Sequence, residues 1–252
     1  GIRRAIVWSN DYFDILPGDR HPWRADSSSG RSIFATLGTL AAGATVHPLS
    51  PEVGLHPERL AAFVRAAYLT RWVVTPQMLA GAVHLLQPGD FPQLRNIVWH
   101  GGPMPAALLR ECMARLRHVS FTGLYGATEA GVVSCYHHVL HPPESDATLV
   151  PIGVPRPGEG ALVLGDRLQT VPPGAVGQVH LRGLGLSPGY WRDQAATAAD
   201  FVTPVGGGGR LFRTGDLGCV RADSQIYLAG RRDRRTSRGR SPREIEAALM
   251  QI

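Results

Sequence analysis

The chain has 252 residues and a formal net charge of +6; 44% of its residues are apolar and 18% are charged. This composition is typical of a globular protein with one substantial core or two modest ones, and it excludes a disordered chain. No apolar run approaches the roughly 20 residues of a membrane-spanning helix, so we expect no membrane partner. Three widely spaced cysteines fit neither a disulfide framework nor a zinc site, so we expect a cytoplasmic protein.

All 26 basic residues are arginines, and the chain contains no lysine. An arginine stays protonated and cannot act as the tunable amine that a lysine provides. A nucleic-acid-binding face would need clustered arginines with interleaved aromatic residues, whereas these arginines are spread along the chain. The densest cluster, 231–240, belongs to a motif described below. We therefore predict no nucleic-acid partner.

Helix and strand patterns alternate in the first half of the chain. We predict helices at 31–42, 57–67, 76–86 and 105–117, and strands at 44–49, 72–75, 96–99 and 119–124. This alternation predicts an α/β fold with a mostly parallel sheet flanked by helices. Ligands of such sheets bind at the carboxyl ends of the strands, where the glycine-rich turns at 101–102 and 123–126 fall.

The pattern changes near residue 150 to short alternating segments separated by Pro, Gly and Asp. We predict strands at 161–164, 177–182, 217–221 and 225–228, a hairpin turn at 222–224, and a new helix from residue 241. This pattern of short strands and turns predicts a small β-rich subdomain. We divide the chain into an α/β part (1–145), a β-rich subdomain (146–229) and a hinge with the start of a small domain (230–252).

Four segments combine residue types that suit nucleotide chemistry. They are Trp-His-Gly-Gly-Pro (99–103), Leu-Tyr-Gly-Ala-Thr-Glu (124–129), Arg-Thr-Gly-Asp-Leu (213–217) and Gly-Arg-Arg-Asp (230–233). Taken singly, each has an ordinary alternative: a tight strand–helix turn, a buried tyrosine before a helix, a loop aspartate and an exposed basic linker. Only their combination, in this order and spacing, is specific.

Together these segments resemble the adenylate-forming superfamily, which includes acyl- and aryl-CoA synthetases, luciferases and the adenylation domains of nonribosomal peptide synthetases. The resemblance covers essentially the whole chain, with further matches at 151–155, 174–179 and 187–191. It implies a large adenylation core that activates a carboxylic acid with ATP as an acyl-AMP. The acyl group then passes to a thiol, either on CoA or on the phosphopantetheine of a carrier protein.

The resemblance also implies roles for the residues that contact the nucleotide. Tyr125 would stack on adenine, and Gly102 would lie near the other face of the base. Gly101 and Gly126 belong to the same nucleotide-binding set. Thr128 would bond a phosphate oxygen.

The remaining implied roles concern the metal, the ribose and the hinge. Glu129 would hold Mg²⁺, a hard cation that suits carboxylate oxygen, and with Thr128 it forms the predicted catalytic pair. Asp216 would bind the ribose hydroxyls, assisted by Arg231. Asp233 matches the hinge about which the small C-terminal domain of the family moves.

The sequence departs from the family's pattern at both ends. Members have a phosphate loop ending in Pro-Lys-Gly, and Gly1 falls where its last glycine would be. Members also carry a catalytic lysine in a small C-terminal domain, and this chain stops as that domain begins. We therefore do not expect these 252 residues alone to complete catalysis. The competing hypothesis is a non-catalytic pseudo-adenylation module that scaffolds a synthetase assembly.

Alignment with amino-acid-activating members places Gly30 where they carry an aspartate that binds the substrate ammonium. Burying an ammonium without a counter-charge costs several kcal/mol, so we predict an acid without an α-amino group: an aryl, fatty, hydroxy or keto acid. The predicted pocket residues are Gly30, Arg31, Phe34, Leu124, Val132 and Val133. For Arg31, contact with a second substrate carboxylate competes with a solvated position.

Overall fold

A computed structural model describes residues 1–24, 30–87, 89–144, 148–204 and 208–232. The α-helices of these ranges, in chain order, are α1 (Ile2–Tyr12), α2 (Gly30–Ala41), α3 (Pro51–Leu55), α4 (Pro57–Ala66), α5 (Pro76–Ala82), α6 (Ala106–Arg115) and α7 (Gln194–Asp200). Short 3₁₀ turns span Val83–Leu85 and Thr128–Ala130. None of the described helices is both long and apolar enough to span a membrane.

The strands form three sheets. In chain order they are β1 (Arg20–Arg24), β2 (Thr45–Leu49), β3 (Arg71–Val74), β4 (Asn96–Trp99), β5 (Ser120–Tyr125), β6 (Cys135–Val139), β7 (Val154–Pro155), β8 (Glu159–Leu164), β9 (Gly177–Gly183), β10 (Phe201–Val202), β11 (Leu211–Val220) and β12 (Ile226–Arg231). Strands β1 and β2 form a separate parallel pair.

The central sheet has the strand order β3-β4-β5-β6-β7. Strands β3, β4 and β5 are parallel, and β6 and β7 continue the sheet in antiparallel pairing. Because the three parallel strands end at one edge, the turns that follow them lie side by side there. Thr75 follows β3 at this edge, and its hydroxyl accepts a hydrogen bond from the Met78 amide that begins α5.

One face of the central sheet packs against helices to form the main core. Trp72 and Val74 of β3 point to this face, and Leu79 of α5, Leu109 of α6 and Phe121 of β5 pack in the same cluster. Side chains alternate along a strand, so the residues between them point to the opposite face. That second face lies towards α1 and α2 and borders the candidate site.

The β-rich part is an antiparallel sheet with the order β10-β11-β9-β8, and β12 pairs with β11. A second, smaller apolar cluster joins this sheet to the central one. It contains Cys135 of β6, Val163 of β8, Val179 of β9 and Ile226 of β12. The two sheets therefore share buried contacts.

The predicted fold class is confirmed: helices flank a sheet with a parallel half, and a small β-rich part follows. Prediction placed β4 correctly, but it missed α1, β6 and α7. The predicted strand 217–221 was too short, because β11 begins at Leu211 and its pairing with β9 shifts between Arg213 and Leu217. An irregularity of this kind breaks the alternation by which a strand is recognised.

The proposed hinge residue Asp233 and the predicted helix from residue 241 lie outside the described residues. The division of the chain at 145/146 and 229/230 stays a prediction.

Candidate active site

Most of the predicted nucleotide residues converge on one cavity of about 950 Å³ at the carboxyl edge of the central sheet. Gly101 and Gly102, which follow β4, line it beside Tyr125 and Gly126 at the end of β5. The cavity continues along the sheet face beneath α1 and α2. Its volume lies at the upper end of the range that small-molecule sites usually occupy.

The hydroxyl of Tyr125 donates a hydrogen bond to Asp216 Oδ2 at 2.8 Å, although 91 positions separate the two residues. Asp216 lies on β11 opposite Arg231 on β12, and Arg231 Nε is 3.7 Å from Asp216 Oδ1. The contact therefore joins the central sheet to the antiparallel sheet. Sequence motifs placed these three residues in one site, and the structure brings them together.

Burial, and then the Asp216 carboxylate, raise the pKa of Tyr125 well above its usual value. The phenol therefore remains a protonated donor at neutral pH. The Asp216 amide donates to Thr214 Oγ1 at 3.0 Å, and Thr214 in turn donates to the Val179 carbonyl at 2.8 Å. Within the described part of the chain, Oδ1 of Asp216 has only the longer contact to Arg231, so it can still accept hydrogen bonds from a ligand hydroxyl.

The turn after Tyr125 requires a glycine for steric reasons. A Cβ on Gly126 would lie 2.4 Å from the Val132 carbonyl oxygen and 2.8 Å from the Ser134 amide nitrogen, both rigid backbone atoms. Gly101 has φ +84°, in the left-handed region that favours glycine. Val132 also has a positive φ, +77°, which is strained for a β-branched residue.

Most of the predicted substrate-pocket residues line the same cavity. Those that do are Arg31, Phe34, Leu124, Val132 and Val133. Gly30 is instead packed against Thr128: a Cβ at Gly30 would lie 2.8 Å from Thr128 Oγ1. An aspartate at this position would therefore require Thr128 to move.

Thr128 and Glu129 lie on the 3₁₀ turn after β5, but they do not border the cavity. Glu129 Oε1 accepts a hydrogen bond from the Tyr190 hydroxyl at 2.9 Å. The same hydroxyl is 2.9 Å from Asp200 Oδ2. The sequence analysis did not single out Tyr190, although its segment, 187–191, was matched.

The side chains of this site suit the groups that an adenylate-forming reaction needs. The Tyr125 ring and the free capacity of Asp216 suit a base and a ribose. No cluster of three or more His, Cys, Asp or Glu that could hold a metal occurs among the described residues. Mg²⁺ takes only one or two carboxylates beside waters and phosphates, so Glu129 alone is compatible with it.

Comparison with known proteins identifies the family. The family described as AMP-binding enzyme matches residues 4–191. The chain belongs to this family. Its matched range contains Tyr125, Thr128 and Glu129, whereas Asp216 and Arg231 lie beyond it.

Relatives and solved structures agree with this assignment. Pyochelin synthetase PchF of Pseudomonas aeruginosa is 32% identical over 235 residues, which cover 92% of this chain and 13% of that protein. The L-proline–[L-prolyl-carrier protein] ligase of Streptomyces coelicolor is 32% identical over 242 residues, covering 92% of this chain and 43% of the ligase. The nonribosomal peptide synthetase FmoA3 superposes with a TM-score of 0.82 at 28% identity, over 90% of this chain and 25% of FmoA3. The chain thus spans less than half the length of these relatives.

Several cavity residues were not predicted from the sequence. The cavity extends past the predicted set to His21, Thr39 and Arg71 at one end, and to Arg221 and Tyr227 of the β11–β12 hairpin at the other. The signal for Arg71 was a charged residue at the start of an otherwise apolar strand, but the predicted strand began one residue later. His21 lies on β1, which was not predicted.

Proposed function

We propose that this chain forms part of the active site of an AMP-forming acid–thiol ligase that uses ATP and Mg²⁺. The observation that supports it most is the junction of Tyr125, Asp216 and Arg231 beside the Gly101–Gly102 turn, within one cavity. This proposal assigns adenine to Tyr125, the ribose hydroxyls to Asp216 and Arg231, and a phosphate oxygen to Thr128. Glu129 is the proposed ligand of Mg²⁺, which would offset phosphate charge when bound.

In the proposed reaction, a carboxylate oxygen of the acid attacks the α-phosphorus of ATP. The bond from that phosphorus to the bridging oxygen breaks, and pyrophosphate leaves. A thiolate of a carrier protein's phosphopantetheine or of CoA then attacks the acyl carbon, and AMP leaves. The residues named here would orient the two reactants, which suits a reaction that depends on positioning and charge stabilisation.

We propose further that the acid has no α-amino group. Among the described residues that line the cavity, Asp216 is the only carboxylate, and Tyr125 and Arg231 already contact it. The same lining contains the cationic side chains of Arg31 and Arg71. Among these described residues, an ammonium group would therefore find a positively charged lining and no free counter-ion, which is unfavourable by several kcal/mol.

Acid-dependent exchange of pyrophosphate into ATP by the complete gene product tests both parts. Each L-amino acid is paired with its des-amino counterpart, for example phenylalanine with 3-phenylpropanoate. We expect at least tenfold faster exchange with the des-amino acid, and loss of exchange in Asp216→Ala for all acids. A clear preference for an amino acid would contradict the substrate proposal. Adenylate binding without exchange on any acid would instead favour the scaffold alternative.

A further inference from the structure

A buried arginine lies at the end of the cavity that is remote from the nucleotide residues. Arg71, Val73 and Thr75 line the cavity, while Trp72 and Val74 between them pack in the main core. This alternation directs the Arg71 side chain to the cavity face of the sheet. Thr75 lies four steps along the extended chain from Arg71, so their backbones are about 13 Å apart.

Arg71 is only 5% exposed, and no carboxylate lies within 4 Å of its guanidinium in the described part of the chain. Asp19 is the nearby acid, but both of its oxygens are engaged. Asp19 Oδ1 contacts Arg95 at 2.6 Å, and Oδ2 accepts from the Leu16 amide at 2.9 Å. Arg71 Nε likewise has no hydrogen-bond partner among the described residues.

The contact that Arg71 does make leaves its donors available. Its guanidinium packs over the ring of Phe13, 4.1 Å from the ring centre. Stacking of this kind uses one face of the guanidinium plane, whereas the N–H donors point outward within that plane. Among the described residues, the structure therefore combines a buried cation, an Nε–H without a hydrogen-bond partner and an adjoining cavity.

The neighbouring His21 provides no counter-charge for Arg71, because an imidazole ring is either neutral or positive. Thr39 donates its hydroxyl proton to the Ala35 carbonyl, so His21 Nδ1, at 2.8 Å from Thr39 Oγ1, must be the donor in their hydrogen bond. Burial lowers the pKa of His21 to about 3, so the ring is neutral at pH 7 and Nε2 is its unprotonated nitrogen.

We propose that Arg71 binds a second carboxylate of the acid substrate, at the end distal to the carboxylate that is adenylated. This inference rests on the proposed function and narrows its substrate to dicarboxylic acids. A carboxylate of the substrate can accept two parallel hydrogen bonds from the planar, paired N–H donors of a guanidinium. Arg31 is a weaker candidate, because it is solvent-exposed and its Nη1 lies against Gly101 at the nucleotide end.

The test compares straight-chain dicarboxylic acids, from succinate to sebacate, with their monoamides. A monoamide has nearly the same shape as the diacid but lacks the distal charge. Pyrophosphate exchange is measured with the complete gene product. We expect the best diacid to exceed its monoamide by at least tenfold in kcat/KM, which is roughly the effect of one hydrogen-bonded charge.

Variants then assign that preference to a residue. Arg71→Met is expected to bring the diacid-to-monoamide ratio close to one, and Arg71→Lys to retain part of it. Arg65→Met is the matched control, because Arg65 is exposed and pairs with Asp90 at 2.6 Å; its ratio should equal that of the wild type. Thermal melts establish that each variant is folded.

The outcomes are distinguishable. Exchange with monocarboxylic acids but no diacid preference in the wild type overturns this inference and leaves the proposed function standing. Exchange with no acid at all overturns both. A preference that survives in Arg71→Met also overturns the role of Arg71, and its loss in Arg31→Met would then assign it to Arg31.

Discussion

The hydrogen bond between Tyr125 and Asp216 can be tested by a double-mutant cycle of Tyr125→Phe and Asp216→Asn. The bond is charge-assisted, has a length of 2.8 Å and is partly buried. Bonds of this type contribute about 1.5–3 kcal/mol. Because the Asp216 side chain is 21% exposed, we expect a coupling energy near the lower end, about 1.5 kcal/mol.

Urea denaturation of the four proteins measures this coupling energy directly. For a domain of this size, Tyr125→Phe should also lower Tm by about 3–6 °C. Tyr227→Phe is the control, since Tyr227 donates to Asp223 at the same 2.8 Å but in an exposed setting, where the loss should stay below about 0.5 kcal/mol. A coupling energy below about 0.5 kcal/mol between Tyr125 and Asp216 would refute the reasoning.

Three further predictions concern pH, sterics and the metal. The pKa of His21 is about 3 in the folded chain and 6.5 in the unfolded chain. Its contribution to the free energy of unfolding is therefore complete above pH 6.5 and is lost as pH falls towards 3. Urea titrations should show up to about 1.4 kcal/mol of extra loss per pH unit relative to His21→Asn. Gly126→Ala should lower the free energy of unfolding by about 2–3 kcal/mol, since its Cβ meets backbone, while Gly18→Ala, with nothing within 4 Å, should not. Tyr190→Phe removes the hydrogen bond that positions the Glu129 carboxylate, so the Mg²⁺ concentration for half-maximal exchange should rise several-fold. An unchanged Mg²⁺ dependence would contradict the role of Glu129 as the metal ligand.

The sequence predicted those parts of the fold that depend on local periodicity. The strand at 96–99 and the turn at Gly101 could be placed because an apolar run ends at two glycines. Helix α1 was missed because polar and charged residues interrupt its apolar positions. Strand β6 was missed because two adjacent histidines, 137 and 138, stand in its middle.

The site shows the same division between local and long-range information. Tyr125 and Asp216 could be assigned to one site only through motif resemblance, because no local pattern relates residues on different sheets. Arg71 could not be found this way, since its importance depends on which acid is absent around it. Whether a buried charged side chain has an opposite charge beside it depends on the packed structure and cannot be read from a single strand.

The contact between the two sheets at Tyr125 and Asp216 has a thermodynamic consequence. A ligand held by Tyr125 on one sheet and by Asp216 on the other binds only when both are correctly docked. Ligand binding and docking of the two sheets are therefore linked equilibria. A ligand concentration of a hundred times Kd would stabilise the docked state by about 2.7 kcal/mol. By the same linkage, a substitution at the shared cluster around Cys135 and Val179, which do not line the cavity, would weaken affinity by loosening the contact between the sheets.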